Sequence, residues 1–238
     1  MMLYMKWTGK EFKDAAKAID EIVGNIEVQK CTPPDSEKNR ARLNKIRSEI
    51  VPLTGINPVT QYLASRGLVP TPAISMHPSM SYYEDGKFKD KYPAMVVPFL
   101  SPDGKPLTYH VTYLTNGGQK APVLNQKKIL PTVGPLAGGA IRLSPPTSAL
   151  LAVAEGIETA LAITQFHGVP CWATYSAGMM EKFEKPEGFE LRVYGDNDSS
   201  YTGQKAAYTL AHRYSGDAKV LFPTEVDTDF ADELRIIK

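Results

Sequence analysis

Residues 149–155 read ALLAVAE, a short apolar run that ends in an acidic residue, Glu155. Gly156 and the helical pattern ETALAITQFHG follow directly. A continuous apolar run of this length is typical of a strand that is buried on both faces. A buried strand followed at once by a helix is the first half of a βαβ unit. This stretch therefore predicts an α/β fold with a parallel sheet.

The same alternation of strand and helix continues toward the C-terminus. Further strands are predicted over residues 169–176, 191–198 and 218–223, with helices over residues 178–183 and 203–214 between them. Strand and helix alternate with short links, which favours a four-stranded parallel sheet between helices, joined by right-handed crossovers. Active sites in such sheets lie at the carboxyl ends of the strands.

Three acidic residues lie at that predicted edge. Glu155 ends the first strand, and Asp196 and Asp198 end the third. The period of two of an extended chain puts both aspartates on one side. Converging carboxylates repel each other unless cations are bound, and hard oxygen ligands without His or Cys select Mg²⁺ or Mn²⁺. Helix-capping or loop acids remain the alternative for either motif alone, but the two motifs together favour a metal site that could hold two ions for phosphoryl transfer.

The chain before this region has a different sequence pattern. Apolar residues at helical spacing predict helices over residues 8–24 and 35–50. Residues 92–100 and 107–114 are β-like runs on either side of a Ser-Pro-Asp-Gly turn, which predicts a hairpin. Residues 140–143 predict one more strand.

These patterns divide the 238 residues into a helical N-terminal extension over residues 1–50, an α+β subdomain over residues 51–145 and the α/β domain over residues 146–238. The last part contains 8 of the 27 Lys and Arg residues and 14 of the 26 Asp and Glu residues, so its net charge is −6 and the rest carries +7. An acidic region beside a basic one suits a protein that holds cations in one place and phosphates in another. Two solvated surfaces of opposite sign would give the same numbers.

The totals also disfavour several classes of protein. No apolar run approaches the ~20 residues that span a bilayer, and the start lacks the apolar region of a signal peptide. We therefore expect a cytoplasmic protein without a membrane partner. The two cysteines, Cys31 and Cys171, are far apart and the four histidines occur singly. A disulfide framework and a zinc site are therefore not expected.

Three motifs of the α/β region resemble the Toprim domain of phage and plasmid primases: AVAEGIETALA (152–162), YSAG (175–178) and YGDNDSSYTGQKAA (194–207). The resemblance implies that Glu155 is the general acid/base. It also implies a set of metal-binding carboxylates, which comprises Glu155, Asp196, Asp198, Asp229 and Asp232. The last two belong to a segment that resembles the Asp-rich closing segment of the same proteins, although Ala231 stands where those proteins have asparagine.

The resemblance extends upstream through PVTQYLASRGL (58–68), YPAMVVPF (92–99), HVTYL (110–114) and QKAP (119–122), which look like the region before Toprim in mobile-element primases. In primases this neighbouring subdomain offers basic residues to template and nucleotide phosphates. The positions that this implies for nucleic-acid or nucleotide binding are Arg66, Lys120, Lys127, Lys128 and Arg142.

Four other residues are predicted to be structural. Trp172 lies in a predicted buried strand. Tyr109 and Tyr113 share one face of a strand, where sheet packing is favoured over stacking on bases. His110 alternates with them and has no carboxylate partner that the sequence identifies.

Primases of this kind usually begin with a zinc ribbon, and the sequence contains neither a zinc ribbon nor a Walker motif. Three alternatives follow: a zinc-binding module comes from a separate chain, the chain has lost site-specific initiation, or priming is no longer its task. Under the first alternative a separate zinc-binding module and a replicative helicase are expected partners, beside single-stranded DNA and NTPs.

Three hypotheses follow. The first is a DNA primase catalytic core, a nucleotidyltransferase that makes short RNA on single-stranded DNA during mobile-element replication in a bacterial cell. The second is a Toprim-type nuclease, which the basic upstream subdomain argues against. The third is a non-catalytic nucleic-acid-binding accessory protein, which the intact Glu155, Asp196 and Asp198 argue against. A topoisomerase is disfavoured by the length of the chain, and a zinc-bearing recombination mediator by the missing cysteines.

Overall fold

The computed structural model of the chain describes residues 2–23, 36–146 and 149–236. The chain forms two compact units, Met1–Pro33 and Pro34–Lys238. No helix in these described ranges is both long and apolar enough to cross a membrane.

The smaller unit contains two helices, α1 (Met2–Thr8) and α2 (Phe12–Val23). The sequence predicts one helix over residues 8–24, and α2 is that helix with a later start. The chain reverses between α1 and α2 at Gly9, which has a φ of +68° and donates its N–H to the Met5 carbonyl. The predicted helix end at Gly24, like Cys31, lies outside the described residues.

The larger unit begins with α3 (Ser36–Glu49), which confirms the second predicted helix. An antiparallel sheet of five strands follows, in the spatial order of the chain. Its strands are β1 (Val51–Pro52), β2 (Ser75–Glu84), β3 (Lys87–Leu100), β4 (Pro106–Tyr113) and β5 (Lys127–Ile129). The helix α4 (Pro58–Ser65) lies between β1 and β2 in the chain, with Asn57 as its N-cap.

The predicted hairpin is confirmed as β3 and β4, which pair from Ala94 with Tyr113 to Leu100 with Pro106. The sequence did not predict β2. Its pairing with β3 shifts register between His77 and Met80, and Pro78 lies within that irregularity. A proline has no N–H to donate, and the bulge removes the clean alternation that reveals a strand.

The second sheet has the order β10-β9-β7-β8-β6. Its strands are β6 (Ile141–Arg142), β7 (Leu150–Ala154), β8 (Cys171–Ala173), β9 (Glu190–Tyr194) and β10 (Ala218–Leu221). The four strands from β7 to β10 are parallel, as predicted. The prediction of a purely parallel, four-stranded sheet is wrong, because β6 adds a fifth strand antiparallel to β8. A two-residue strand is too short for its sequence pattern to reveal its partner.

Helices cover the second sheet: α5 (Ile157–His167), α6 (Ala177–Met180), α7 (Thr202–Arg213) and α8 (Phe230–Ile236). The first three were predicted, and α8 was not. The helix α5 is buried from Ile157 to Ile163, in keeping with the apolar residues on all faces of that segment, and Glu158 and Thr159 are buried with them. The residues predicted to be core are buried as well: Trp172 is 3% exposed, Tyr109 8% and Tyr113 2%.

The two sheets are joined by backbone hydrogen bonds. Leu100 at the end of β3 exchanges two 2.9 Å bonds with Ala140, just before β6. One hydrophobic core continues across this junction, because Val97 and Phe99 of β3 belong to the same cluster as Ala154 of β7. The opposite face of β3 packs with α3 in a separate cluster.

This junction leaves no room for a side chain at Gly139. A Cβ there would lie 2.3 Å from the Leu100 carbonyl oxygen and 2.6 Å from the Phe99 ring. Because the obstacle is backbone, we expect Gly139→Ala to lower the free energy of unfolding by about 3 kcal/mol, measured by urea titration. Gly178→Ala is the control, since a Cβ at Gly178 meets nothing within 4 Å. Equal stability of both variants would contradict this account of the junction.

Candidate active site

A cleft of about 470 Å³ opens between the two sheets. One wall comprises the residues that follow β7, β8 and β9, together with the first turn of α5. The other wall comprises side chains from β4, β5 and the end of α4. The carboxyl ends of the parallel strands therefore face the antiparallel sheet, as expected of an α/β active site.

Two predicted carboxylates come from the ends of parallel strands. Glu155 follows β7 directly, and its carboxylate accepts a hydrogen bond from the backbone N–H of Ala177. Burial and then the charge of Asp198 raise the pKa of Glu155. Burial and then the charges of Glu155 and Asp229 raise the pKa of Asp196 to about 7. Burial is thus the main cause of both shifts, and the neighbouring carboxylates add to it.

Two more carboxylates come from the chain around α8. Asp229 caps this helix, since its Oδ1 accepts the backbone N–H groups of Ala231 at 2.6 Å and Asp232 at 3.0 Å. Both Asp229 and Asp232 line the cleft. The loop before them is fixed to the loop after β9 by backbone bonding between Asn197 and Thr228.

Asp198 has a different environment from the other four carboxylates. Its Oδ2 accepts the Gly203 N–H at 2.6 Å and its Oδ1 accepts the Thr202 N–H at 3.1 Å, so it caps α7. Hydrogen bonds from the Ser200 hydroxyl and then from the Gly203 N–H lower the pKa of Asp198. The lining of the cleft includes Glu155, Asp196, Asp229 and Asp232 but not Asp198.

The chemistry of this donor set fits a hard divalent cation. All the groups are carboxylate oxygens, the ligands that Mg²⁺ and Mn²⁺ prefer. The Oδ1 atom of Asp196 is buried and has no hydrogen-bond partner among the described residues. A buried carboxylate oxygen without a partner is costly, and a cation would satisfy it. The carboxylates stand apart and do not form a closed shell, since no three His, Cys, Asp or Glu side chains of the described ranges are arranged to hold a metal ion.

Three predicted cations line the cleft around Glu158 and form its basic end: Arg66, Lys120 and Lys127. The Lys127 ammonium donates to Oε2 of Glu158 at 2.8 Å, and the Arg66 guanidinium lies 5.0 Å from the ring centroid of Tyr62. Burial, followed by the charges of Lys127 and Arg66, lowers the pKa of Lys120. The cations are therefore close enough to repel one another.

The structure places the other two predicted cations outside the cleft. Lys127 and Lys128 are neighbours on β5 and so point to opposite faces of the sheet. The Lys128 ammonium lies 4.0 Å from the centroid of the Tyr82 ring, on the other face. Arg142 stacks 4.4 Å from the centroid of Trp172 and donates to the Ser101 carbonyl at 3.0 Å. Lys128 and Arg142 therefore make contacts within the fold, with an aromatic ring in each case and, for Arg142, with a backbone carbonyl.

Glu158 is the cleft residue that the sequence patterns did not predict. It is 4% exposed, and its carboxylate accepts the Tyr62 hydroxyl at 2.6 Å as well as the Lys127 ammonium. The sequence could have identified Glu158, because it is the one Asp, Glu, Lys or Arg in the mostly apolar helical segment over residues 157–166. A charge in such a segment needs a buried partner.

Two families match parts of the chain. Residues 150–236 match the Toprim domain, and residues 37–143 match a domain of unknown function (DUF7146). The motifs that predicted a Toprim domain, from residue 152 to residue 207, lie within this matched range. No curated protein matches the chain.

Solved structures of primases share the fold. The chain is similar to the Aquifex aeolicus primase (zinc binding and RNA polymerase domains) at 15% identity and a TM-score of 0.54, over 99% of this chain and 66% of that one. It is similar to the DnaG primase catalytic domain bound to single-stranded DNA at 13% identity and a TM-score of 0.53, over 84% and 76% of the two chains. The DnaG catalytic core gives 15% identity and a TM-score of 0.53, over 84% and 75%. The chain thus spans just under two thirds of the Aquifex protein.

The buried Glu158 predicts a pH-dependent stability. Burial alone would raise its pKa, but the Lys127 charge and hydrogen bonds from Lys127 and Tyr62 outweigh it and hold the pKa at about 2, below the ordinary 4.5. A depressed carboxyl pKa stabilises the fold above pH 4.5, and this stabilisation is lost as the pH falls toward 2. We expect Glu158→Gln to lower the free energy of unfolding by roughly 3 kcal/mol at pH 7.

Urea titrations at pH 7, 5, 4 and 3 test this, and the gap between wild type and Glu158→Gln should narrow below pH 4.5. Glu190→Gln is the control, because Glu190 is exposed at the start of β9. A gap that stayed constant from pH 7 to pH 3 would show that the loss is steric and that the ion pair adds little.

Proposed function

We propose that the protein is the catalytic core of a DNA primase, which joins nucleotides into short RNA on a single-stranded DNA template. The observation that carries the proposal is the cleft with two charged ends. Four carboxylates form its acidic end and three cations form its basic end. The carboxylates belong to the region that matches the Toprim domain and the cations to the region before it, within a primase-like fold.

The acidic end would hold Mg²⁺ or Mn²⁺, in keeping with the two ions predicted from the sequence. Glu155, Asp196, Asp229 and Asp232 are the residues that would ligate it, and Asp198 would join them on leaving its helix cap. A bound divalent ion supplies charge neutralisation at the reacting phosphate. Glu155 would take the proton from the attacking hydroxyl, since burial raises the proton affinity of its carboxylate.

The basic end would bind phosphate. Arg66, Lys120 and Lys127 offer guanidinium and ammonium donors on the wall opposite the carboxylates. A nucleoside triphosphate could then span the cleft, with its phosphates against the cations. Template contacts on the same cations would depend on salt. We extend the proposal to a mobile-element setting, with a zinc-binding module and a replicative helicase as separate partners.

Primer synthesis is the direct test. Purified protein is incubated with single-stranded DNA, labelled NTPs and Mg²⁺ or Mn²⁺, and the products are separated on a gel. We expect short labelled oligonucleotides from the wild type, and a loss of roughly 10²- to 10⁴-fold in Glu155→Gln. Asp196→Asn should be equally impaired. Asp217→Asn is the matched control, because Asp217 pairs with Lys185 outside the cleft.

If the template were degraded and no oligonucleotide were made, the primase proposal would fail and the nuclease hypothesis would take its place. If no product formed even with a zinc-binding module and helicase supplied, while DNA binding persisted, the enzyme proposal would fail and a non-catalytic accessory protein would remain.

A second prediction compares Lys120, which lines the cleft, with Lys128, which does not. Lys120→Gln should weaken binding of single-stranded DNA and lower the slope of log affinity against log salt by about 0.7, the value for one phosphate contact on a single strand. Lys128→Gln should leave both unchanged, because Lys128 lies outside the cleft, over the Tyr82 ring. Fluorescence anisotropy between 50 and 300 mM salt measures both quantities. Equal losses in the two variants would argue against the cleft as the binding site.

A further inference from the structure

Two buried side-chain atoms in the cleft lack a hydrogen-bond partner among the described residues. One is Oδ1 of Asp196, which belongs to the metal-binding set. The other is Nδ1 of His110, a residue that is 4% exposed and lines the same cleft. Native proteins seldom leave a buried polar atom without a partner, because its desolvation costs about 1–3 kcal/mol. An unpartnered nitrogen in the wall of a ligand cleft indicates a place for a ligand atom.

The surrounding structure fixes the position of the His110 ring. His110 lies on β4, between Val97 of β3 and Ile129 of β5. Its ring packs edge-on against Tyr175, with centroids 5.6 Å apart and an interplanar angle of 65°. Tyr175 itself follows β8 with a φ of +76°, a conformation that bulky residues rarely adopt and that is often found at binding sites. The imidazole is thus oriented before any ligand arrives.

The charges around His110 favour an anion. Its electrostatic neighbours are Lys127 and Glu158. Lys120 lies within electrostatic range of both of these residues and of Arg66. Three cations and one carboxylate leave this end of the cleft with a net charge of +2. Burial, followed by the Lys127 charge, lowers the pKa of His110 to about 4. The imidazole is therefore neutral at pH 7, with one N–H to donate.

We propose that His110 donates a hydrogen bond to the triphosphate of the bound nucleotide and is a specificity-determining contact of this end of the cleft. The inference rests on the proposed function, because it takes the ligand to be a nucleoside triphosphate. The three cations and the neutral His110 offer N–H donors, and the Glu158 carboxylate already accepts hydrogen bonds from Tyr62 and Lys127. This arrangement matches phosphate oxygens better than a base edge. A neutral donor also adds a contact without adding a fourth positive charge to three cations that already repel one another.

Substitutions on one face of β4 separate a ligand contact from a packing role. His110→Phe keeps a flat ring against Tyr175 and removes the donor, whereas His110→Gln is smaller and keeps a neutral N–H. Thr112→Val is the matched control. Thr112 is two residues along the same strand and is fully buried, and its hydroxyl also lacks a partner among the described residues, but it does not line the cleft.

Binding is measured by calorimetry at pH 7.5 with MgATP, inorganic tripolyphosphate and AMP, and folding is checked by urea titration. We expect His110→Phe to raise the Kd for MgATP and for tripolyphosphate about tenfold, the effect of one hydrogen bond. His110→Gln should recover most of the loss, and Thr112→Val should bind like the wild type. AMP should bind weakly to every protein, with no dependence on residue 110.

If His110→Phe bound both triphosphate ligands as tightly as the wild type does, the ring would be a packing group and the inference would fail, while the proposed function stood. If the folded wild type bound neither MgATP nor tripolyphosphate, the proposed function would fail together with the inference. A loss in Thr112→Val as large as that in His110→Phe would also overturn the inference, because it would trace the effect to the strand.

Discussion

The buried carboxylate of Glu158 joins the two sheets at the site where their charges meet. It lies on α5 of the Toprim domain, and it accepts hydrogen bonds from Lys127 on β5 and from Tyr62 on α4. Three elements from both sides of the cleft therefore converge on one side chain. Buried ion pairs of this kind contribute little net stability relative to apolar packing, but breaking one by removing a partner is strongly destabilising. The geometry of the cleft thus depends on a carboxylate whose two oxygens are already bonded to Tyr62 and Lys127.

This pair also keeps the two ends of the cleft distinct. Glu158 follows Glu155 by three residues, yet its charge is balanced by Lys127, whereas Glu155 and Asp196 repel each other. The two ends therefore differ in charge, which is the basis of the proposed cation and phosphate sites. The caps of α7 and α8 contribute as well, because Asp198 and Asp229 bind helix N–H groups and hold their loops at the rim.

Much of this arrangement could be predicted from the sequence, and the limits have physical causes. The run before Glu155 predicted its strand because a strand buried on both faces is continuously apolar. The Toprim motifs predicted the acidic site. A strand was predicted over residues 140–143 and is present as β6, but its antiparallel pairing with β8 was not predicted, because two residues carry no period that identifies a partner. Nor could the sequence show that Lys127 lines the cleft and Lys128 does not, since that requires knowing which face of β5 meets the cleft. The sequence identified no carboxylate partner for His110, and its Nδ1 has no hydrogen-bond partner among the residues that the structure describes.

The position of β6 determines where the chain can be cut to give a separate Toprim fragment. The sequence placed a domain boundary at residue 146, yet the backbone of β6, Ile141–Arg142, covers the outer edge of β8. A fragment beginning at residue 146 would expose the unpaired N–H and C=O groups of that edge. Exposed strand edges pair with one another between molecules, so such a fragment would be prone to aggregate. The Toprim domain of this protein thus takes its protective edge strand from the segment that precedes it.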